Sequence, residues 1–155
     1  MRMAEISASL PRKILVAVEG SEPSLRESSM KAATYALKLA GASSAEVVAV
    51  CVIQIPEYIE ESTRVSLRNE LFAKSEKTLG DVANLASAAK VKYSSKVLET
   101  NGAIATTICN FSSKEGVNLI VLGTRANTSN LTKMMLGSVA SGVASNADCP
   151  VLVVR

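Results

Sequence analysis

Three features of this chain have residue types and spacing that point to chemistry: a glycine at 123, a Gly-Ser pair at 137–138 and an acid at Glu19. Gly123 closes a short apolar run, Leu119 to Leu122, and Gly137-Ser138 opens what reads as a helix after a polar loop. A strand feeding a loop that closes on a helix N-terminus suits an anion, because orphan N–H groups and the positive end of the helix dipole converge there. The plainer reading of the same stretch is a strand-to-helix connection that needs glycine for its turns. Arg125 and Lys133 in the loop can meet phosphates or simply solvate it, and Ser138 is first of all an N-cap residue. Met134, Met135 and Leu136 read as apolar anchors packing the loop onto the sheet, or as a contact with a second subunit.

What the chain lacks narrows the chemistry further. It has no His, which removes the commonest general base and excludes a Ser-His-Asp triad. Cys51, Cys109 and Cys149 are odd in number and far apart, without a C-x-x-C pair. They read as buried, reduced thiols suited to a reducing cytosol. Zinc mostly wants His or closely paired Cys. With no catalytic constellation the chain reads as a binding protein and not an enzyme. A net charge of +3 scattered along the sequence argues against a nucleic-acid partner. No run approaches the roughly 18 apolar residues of a membrane span, and residues 1–11 lack the apolar core of a signal peptide. The expectation is a cytoplasmic protein, with 1–11 a loose lead-in to a single domain over 12–155.

The elements that must position these residues follow from apolar patterning. Lys13 to Glu19 and Glu46 to Ile53 are continuous runs of β-formers, each a buried strand. Between them a helix with Pro23 in its first turn, capped by Ser21 or Ser24, runs to about Ala40, with Gly41 as its left-handed stop. Its stripe, Leu25, Ala32, Ala33, Ala36, Leu37 and Ala40, is small enough to lie close on a sheet. The longest helix runs from about Ser62 to Ala89, with Leu67, Leu71, Leu79, Val82 and Ala86 on one face and a solvated charge run on the other. Val91 to Leu98 alternates in the manner of an edge strand. A helix from Ala103 to Lys114, ended by Gly116, leads to the strand at 119–122. A short helix, 138–146, and a last strand, Val151 to Val154, complete the chain. This β-α alternation predicts an α/β fold, a doubly wound parallel sheet with helices on both faces, whose ligands sit at the carboxyl ends of the strands.

The segments KILVAVEGSE (13–22), CVI (51–53) and GTR…LGSVASGVASNADCPVLVVR (123–155) resemble the universal stress protein family over essentially the full chain. The resemblance implies five strands in the order 3-2-1-4-5 and an adenine nucleotide, ATP or AMP with or without Mg2+, held as a regulatory ligand in a stress response. It assigns the phosphates to a G-x2-G-x9-G-[ST] loop, in which Gly123, Gly137 and Ser138 match, with the N–H groups of Ser138 and Val139 as donors. Glu19 replaces the family's usual Asp near the adenosine, a side chain longer by one C–C bond, about 1.5 Å. Val52 takes the backbone contact to adenine, and Ala17 and Arg125 join the nucleotide-binding set.

Two positions depart from the motif. The strict second-glycine position holds Ala126, with ten residues between it and Gly137 instead of nine. An insertion just after Arg125 puts Asn127 there, which tolerates a left-handed backbone better than Ala. The resemblance also implies a homodimer through Val151–Val154, an apolar edge that proteins normally cover. The alternative is a nucleotide-free homodimeric interaction module of the same fold, acting with a regulatory protein partner.

Overall fold

The apolar runs become one five-stranded sheet in the computed structural model, which describes residues 10–20, 22–124 and 136–155. The strands are β1 (Lys13–Ala17), β2 (Glu46–Gln54), β3 (Tyr93–Thr100), β4 (Leu119–Gly123) and β5 (Val151–Val154). Among the described residues they are joined by α1 (Pro23–Ser43), α2 (Glu61–Ala89), α3 (Ile104–Glu115) and α4 (Ser138–Asn146). Every pairing is parallel and the order is β3-β2-β1-β4-β5, so the winding reverses between β1 and β4. The lead-in over residues 1–9 lies outside the described residues.

Alternate strand residues feed two aliphatic layers, because successive side chains point to opposite faces. Ile14, Val16, Val47, Ala49 and Val121 pack with Ala32, Ala33 and Ala36 of α1 and Leu79 and Val82 of α2. Leu15, Val48, Val50, Ile120 and Leu122 pack with Ile108 and Cys109 of α3 and Ala140 and Val143 of α4. Ile14, Leu15 and Ile120 are each 0% exposed, and full burial of such a side chain stabilises the fold by about 1.5–3 kcal/mol. The alanine stripe of α1 lets that helix lie close against the sheet.

Several boundaries differ from those expected, each for a local reason. β1 stops at Ala17, not Glu19: the Val18 N–H still donates to the Val50 carbonyl at 2.9 Å, but the Glu19 N–H turns to the Ser29 hydroxyl at 2.7 Å. Glu22, not Ser21 or Ser24, stands at the N-cap of α1, without a side-chain cap bond. Ser24 is one turn-residue inside the helix and Ser21 lies outside the described residues. Gly41 does not stop α1. The helix runs on to Ser43, and Ser44 takes the left-handed conformation at φ 56°. The Ala45 N–H then closes back on the Ala40 carbonyl at 3.0 Å, a 6→1 bond that satisfies an end carbonyl without glycine. β3 begins two residues late because Val91 still serves α2, its N–H donating to the Ala86 carbonyl at 3.1 Å. Its edge position is as expected, and Gly116, at φ 68°, ends α3 as expected. In α2 the expected apolar face is buried only from Ser75 onward; Leu67 and Leu71 are half-buried.

Candidate functional site

β1 and β4 run side by side with Ala17 opposite Leu122, and beyond them α1 and α4 pack on opposite faces of the sheet, leaving a gap past the strand ends. The gap is the crevice that a doubly wound sheet leaves at its switch point. Its volume is about 230 Å³. Its lining brings together Ala17, Glu19, Val52, Gly123, Gly137, Ser138 and Val139, seven of the ten residues named from sequence. The other three, Arg125, Ala126 and Asn127, lie outside the described residues, as do Lys133, Met134 and Met135.

The floor is aliphatic. Val50, Ile108 and Leu122 are all but fully buried there, and Ile104 and Leu136 add half-buried side chains. Leu136 therefore packs on the α3–α4 layer, as an anchor of its loop was expected to. Over this floor two polar ends face each other.

At one end, α4 begins. Gly137 stands at its N-cap with φ 88° and ψ 159°, a region of backbone space essentially reserved for glycine. Ser138 is consequently the first helical residue and not the N-cap expected, and among the described residues no side chain caps this helix. The N–H groups of Ser138, Val139 and Ala140 have no acceptor within the helix by its geometry. They carry the positive end of its dipole to the crevice, and Ser138 itself is exposed.

At the other end α1 is fastened to the strand ends. The Ser28 hydroxyl donates to the Thr124 carbonyl, and the Ser29 hydroxyl accepts the Glu19 N–H. Both serines are buried and line the crevice. Gly123 makes this approach possible: a Cβ there would stand 2.7 Å from the Ser28 carbonyl oxygen. The Thr124 N–H donates to the Val154 carbonyl at 3.1 Å, which holds the start of the loop to β5. Sequence reasoning passed over Ser28 and Ser29. Their signal was two hydroxyls at consecutive positions within an otherwise apolar helical stripe, on the turn nearest the strand ends.

The thiols are quiet. All three cysteines are free; Cys51 and Cys109 are buried, while Cys149 is only half-buried, less than expected. Burial pushes the thiols of Cys51 and Cys109 above the usual range, away from the thiolate that reacts. Among the described residues no group of three His, Cys, Asp or Glu is placed to hold a metal ion. No helix among them is long and apolar enough to cross a membrane.

A sequence model of the Universal stress protein family matches residues 11–155. Universal stress protein MJ0531 of Methanocaldococcus jannaschii is 34% identical over 149 residues, covering 94% of this chain and 83% of its own. Universal stress protein YxiE of Bacillus subtilis is 34% identical over 153 residues, covering 92% of this chain and 98% of its own. Solved structures repeat the fold. A universal stress protein in complex with cAMP superposes with TM-score 0.70 at 20% identity, over 95% of this chain and 99% of that one. One from Archaeoglobus fulgidus in complex with dAMP gives 0.69 at 17%, over 94% and 99%. One from Arabidopsis thaliana with AMP bound gives 0.66 at 18%, over 93% and 91%.

Proposed function

The chain belongs to the universal stress protein family, and from that premise we propose that it binds an adenine nucleotide, ATP or AMP, as a regulatory ligand in a stress response. The observation that carries this reading is the crevice with an aliphatic floor between two unlike polar ends. A flat aliphatic slot takes a planar base and strips water from it, while a few placed polar groups orient the rest. The open start of α4 supplies backbone donors and dipole charge for phosphates. Glu19, at the other end, supplies an acceptor for sugar hydroxyls, and Val52 lies beside the base. The relatives solved with cAMP, dAMP and AMP support the ligand class by analogy.

The ligand is bound and not turned over in this reading. The chain has no His, and the buried hydroxyls beside the crevice, those of Ser28 and Ser29, are engaged with backbone groups. A divalent ion such as Mg2+ would ride with the phosphates of ATP. The protein works in the cytoplasm as a homodimer, paired through β5. That strand lies at the sheet edge, and the carbonyls of Pro150 and Val154 accept the N–H groups of Ile120 in β4 and of Thr124 just past it. In a parallel ladder alternate residues face opposite neighbours, so Val151 and Val153 turn their N–H and carbonyl groups to the open edge. Val153→Pro removes one such N–H without touching the β4 ladder, and sedimentation should then find a monomer where the wild type sediments as a dimer.

The nucleotide reading is tested on protein purified without added nucleotide. Denaturing it should release an adenine compound visible by absorbance and chromatography, and calorimetry with fresh ATP on the stripped protein should give heat. No released nucleotide and no heat at millimolar ATP would leave the nucleotide-free interaction module in its place.

A further inference from the structure

Glu19 and Val52 border a second space as well as the crevice. Past them, on the α2 side, lies this second compartment of about 210 Å³, whose lining includes Cys51, Ile53, Gln54, Leu71, Lys74 and Ser75. Glu19, Val52 and Ile104 line both spaces, so the two compartments share one wall.

The polar groups of the second space are already engaged. The Ser75 hydroxyl accepts from the Cys51 thiol at 3.1 Å and donates to the Leu71 carbonyl at 2.8 Å. The Lys74 ammonium pairs with Glu70 at 3.0 Å. The Gln54 amide donates to the Gly102 carbonyl at 2.6 Å. At its base Cys51 is 4% and Ile53 5% exposed, while Gln54 and Lys74 stand exposed at its mouth. Burial raises the Cys51 thiol out of its usual range, and the Glu19 carboxylate raises it further against the Ser75 bond. A charged occupant would meet the same desolvation, and an anion would also meet Glu19. The space suits an uncharged, mainly apolar group.

We propose that this compartment receives a substituent carried on the base of the bound nucleotide, an alkyl or aryl group on the exocyclic amine of adenine. The inference rests on the reading that lays adenine against Val52. An adenine there presents an edge to β2, and the compartment opens along that same strand past Cys51, Ile53 and Gln54. The ligand class thus widens from plain adenine nucleotides to those modified at the amine.

Calorimetric titration of the full chain with ATP and with N6-benzyl-ATP tests it. The benzyl compound should bind within about threefold of ATP. Leu71→Trp, which fills the compartment from the half-buried face of α2, should weaken the benzyl compound tenfold or more and leave ATP unchanged. ATP binding to that variant also reports that it has folded. ATP binding with the benzyl compound more than threefold weaker would overturn the inference alone, as would equal binding of both compounds by wild type and Leu71→Trp. Failure of ATP itself to bind would overturn the nucleotide reading and this inference together.

Discussion

α1 reaches the crevice through side chains, Ser28 donating to the Thr124 carbonyl and Ser29 accepting the Glu19 N–H, whereas α4 reaches it with bare backbone. Among the described residues neither helix has a side-chain cap. Yet α1 runs for 21 residues and its buried stripe holds it on the sheet, while α4 has nine and starts on a residue that only glycine occupies comfortably. The two ends of the crevice are therefore built on different principles. The α1 end is completed by the protein itself, so its geometry is set before any ligand arrives. The α4 end leaves donors pointing at the crevice, where a ligand that brings acceptors completes the helix terminus.

The largest effect should come from disturbing the fastened end. Gly123→Val puts a branched side chain where even a Cβ stands 2.7 Å from the Ser28 carbonyl oxygen. Forcing extra atoms into a packed contact costs about 1–3 kcal/mol, occasionally more, and the Ser28 bond to Thr124 should go with it. Urea unfolding should place this variant about 3 kcal/mol below wild type. At the open end, Gly137→Val meets no neighbour within 4 Å, so its cost is backbone strain at φ 88°, about 1–3 kcal/mol. Its main readout is binding: calorimetry should find ATP affinity lower by tenfold or more, with the unfolding midpoint moved less than in Gly123→Val.

Smaller effects sharpen the contrast. Ser29→Ala removes the acceptor of the Glu19 N–H, and an unsatisfied backbone donor in a half-buried place costs about 1–2 kcal/mol. Urea unfolding should show that loss, and calorimetry should show only a few-fold change in ATP affinity. The smallest effect concerns pH. Burial raises the Cys51 thiol in the folded state, so the neutral form is favoured by folding. That contribution is fully present below the unfolded thiol value, ~8.5, and is lost as pH rises from there toward the folded value. The stability difference between wild type and Cys51→Ala should therefore narrow as the pH is raised above about 8.5.

The sheet was legible in the sequence because its evidence is local and redundant. LIVL before Gly123 and KILVAV after Arg12 admit few readings other than buried strands, and the alternation with helical stripes set the winding. Helix ends were less legible. Gly41 has the residue type of a stop, but the closure that decides is the Ala45 N–H reaching the Ala40 carbonyl, and any residue able to hold φ near 56° serves. The site was half legible. Gly123, Gly137 and Glu19 stand out by type, and the structure gathers them at one crevice. Ser28 and Ser29 do not stand out, since a serine in a helical stripe acquires its role only when a strand end comes alongside, that of β4 96 residues from Ser28 and that of β1 ten residues from Ser29. The same holds for the compartment behind Val52, which exists because α2 crosses β2 there.

The central claim is that the start of α4 is finished by the phosphates of an adenine nucleotide. It is tested most directly by titrating ATP into nucleotide-free wild type and Gly137→Val side by side in a calorimeter. Saturable heat from wild type, with affinity at least tenfold lower in the variant, is the predicted result. Equal binding by the two proteins, or no heat from wild type at millimolar ATP, would contradict it.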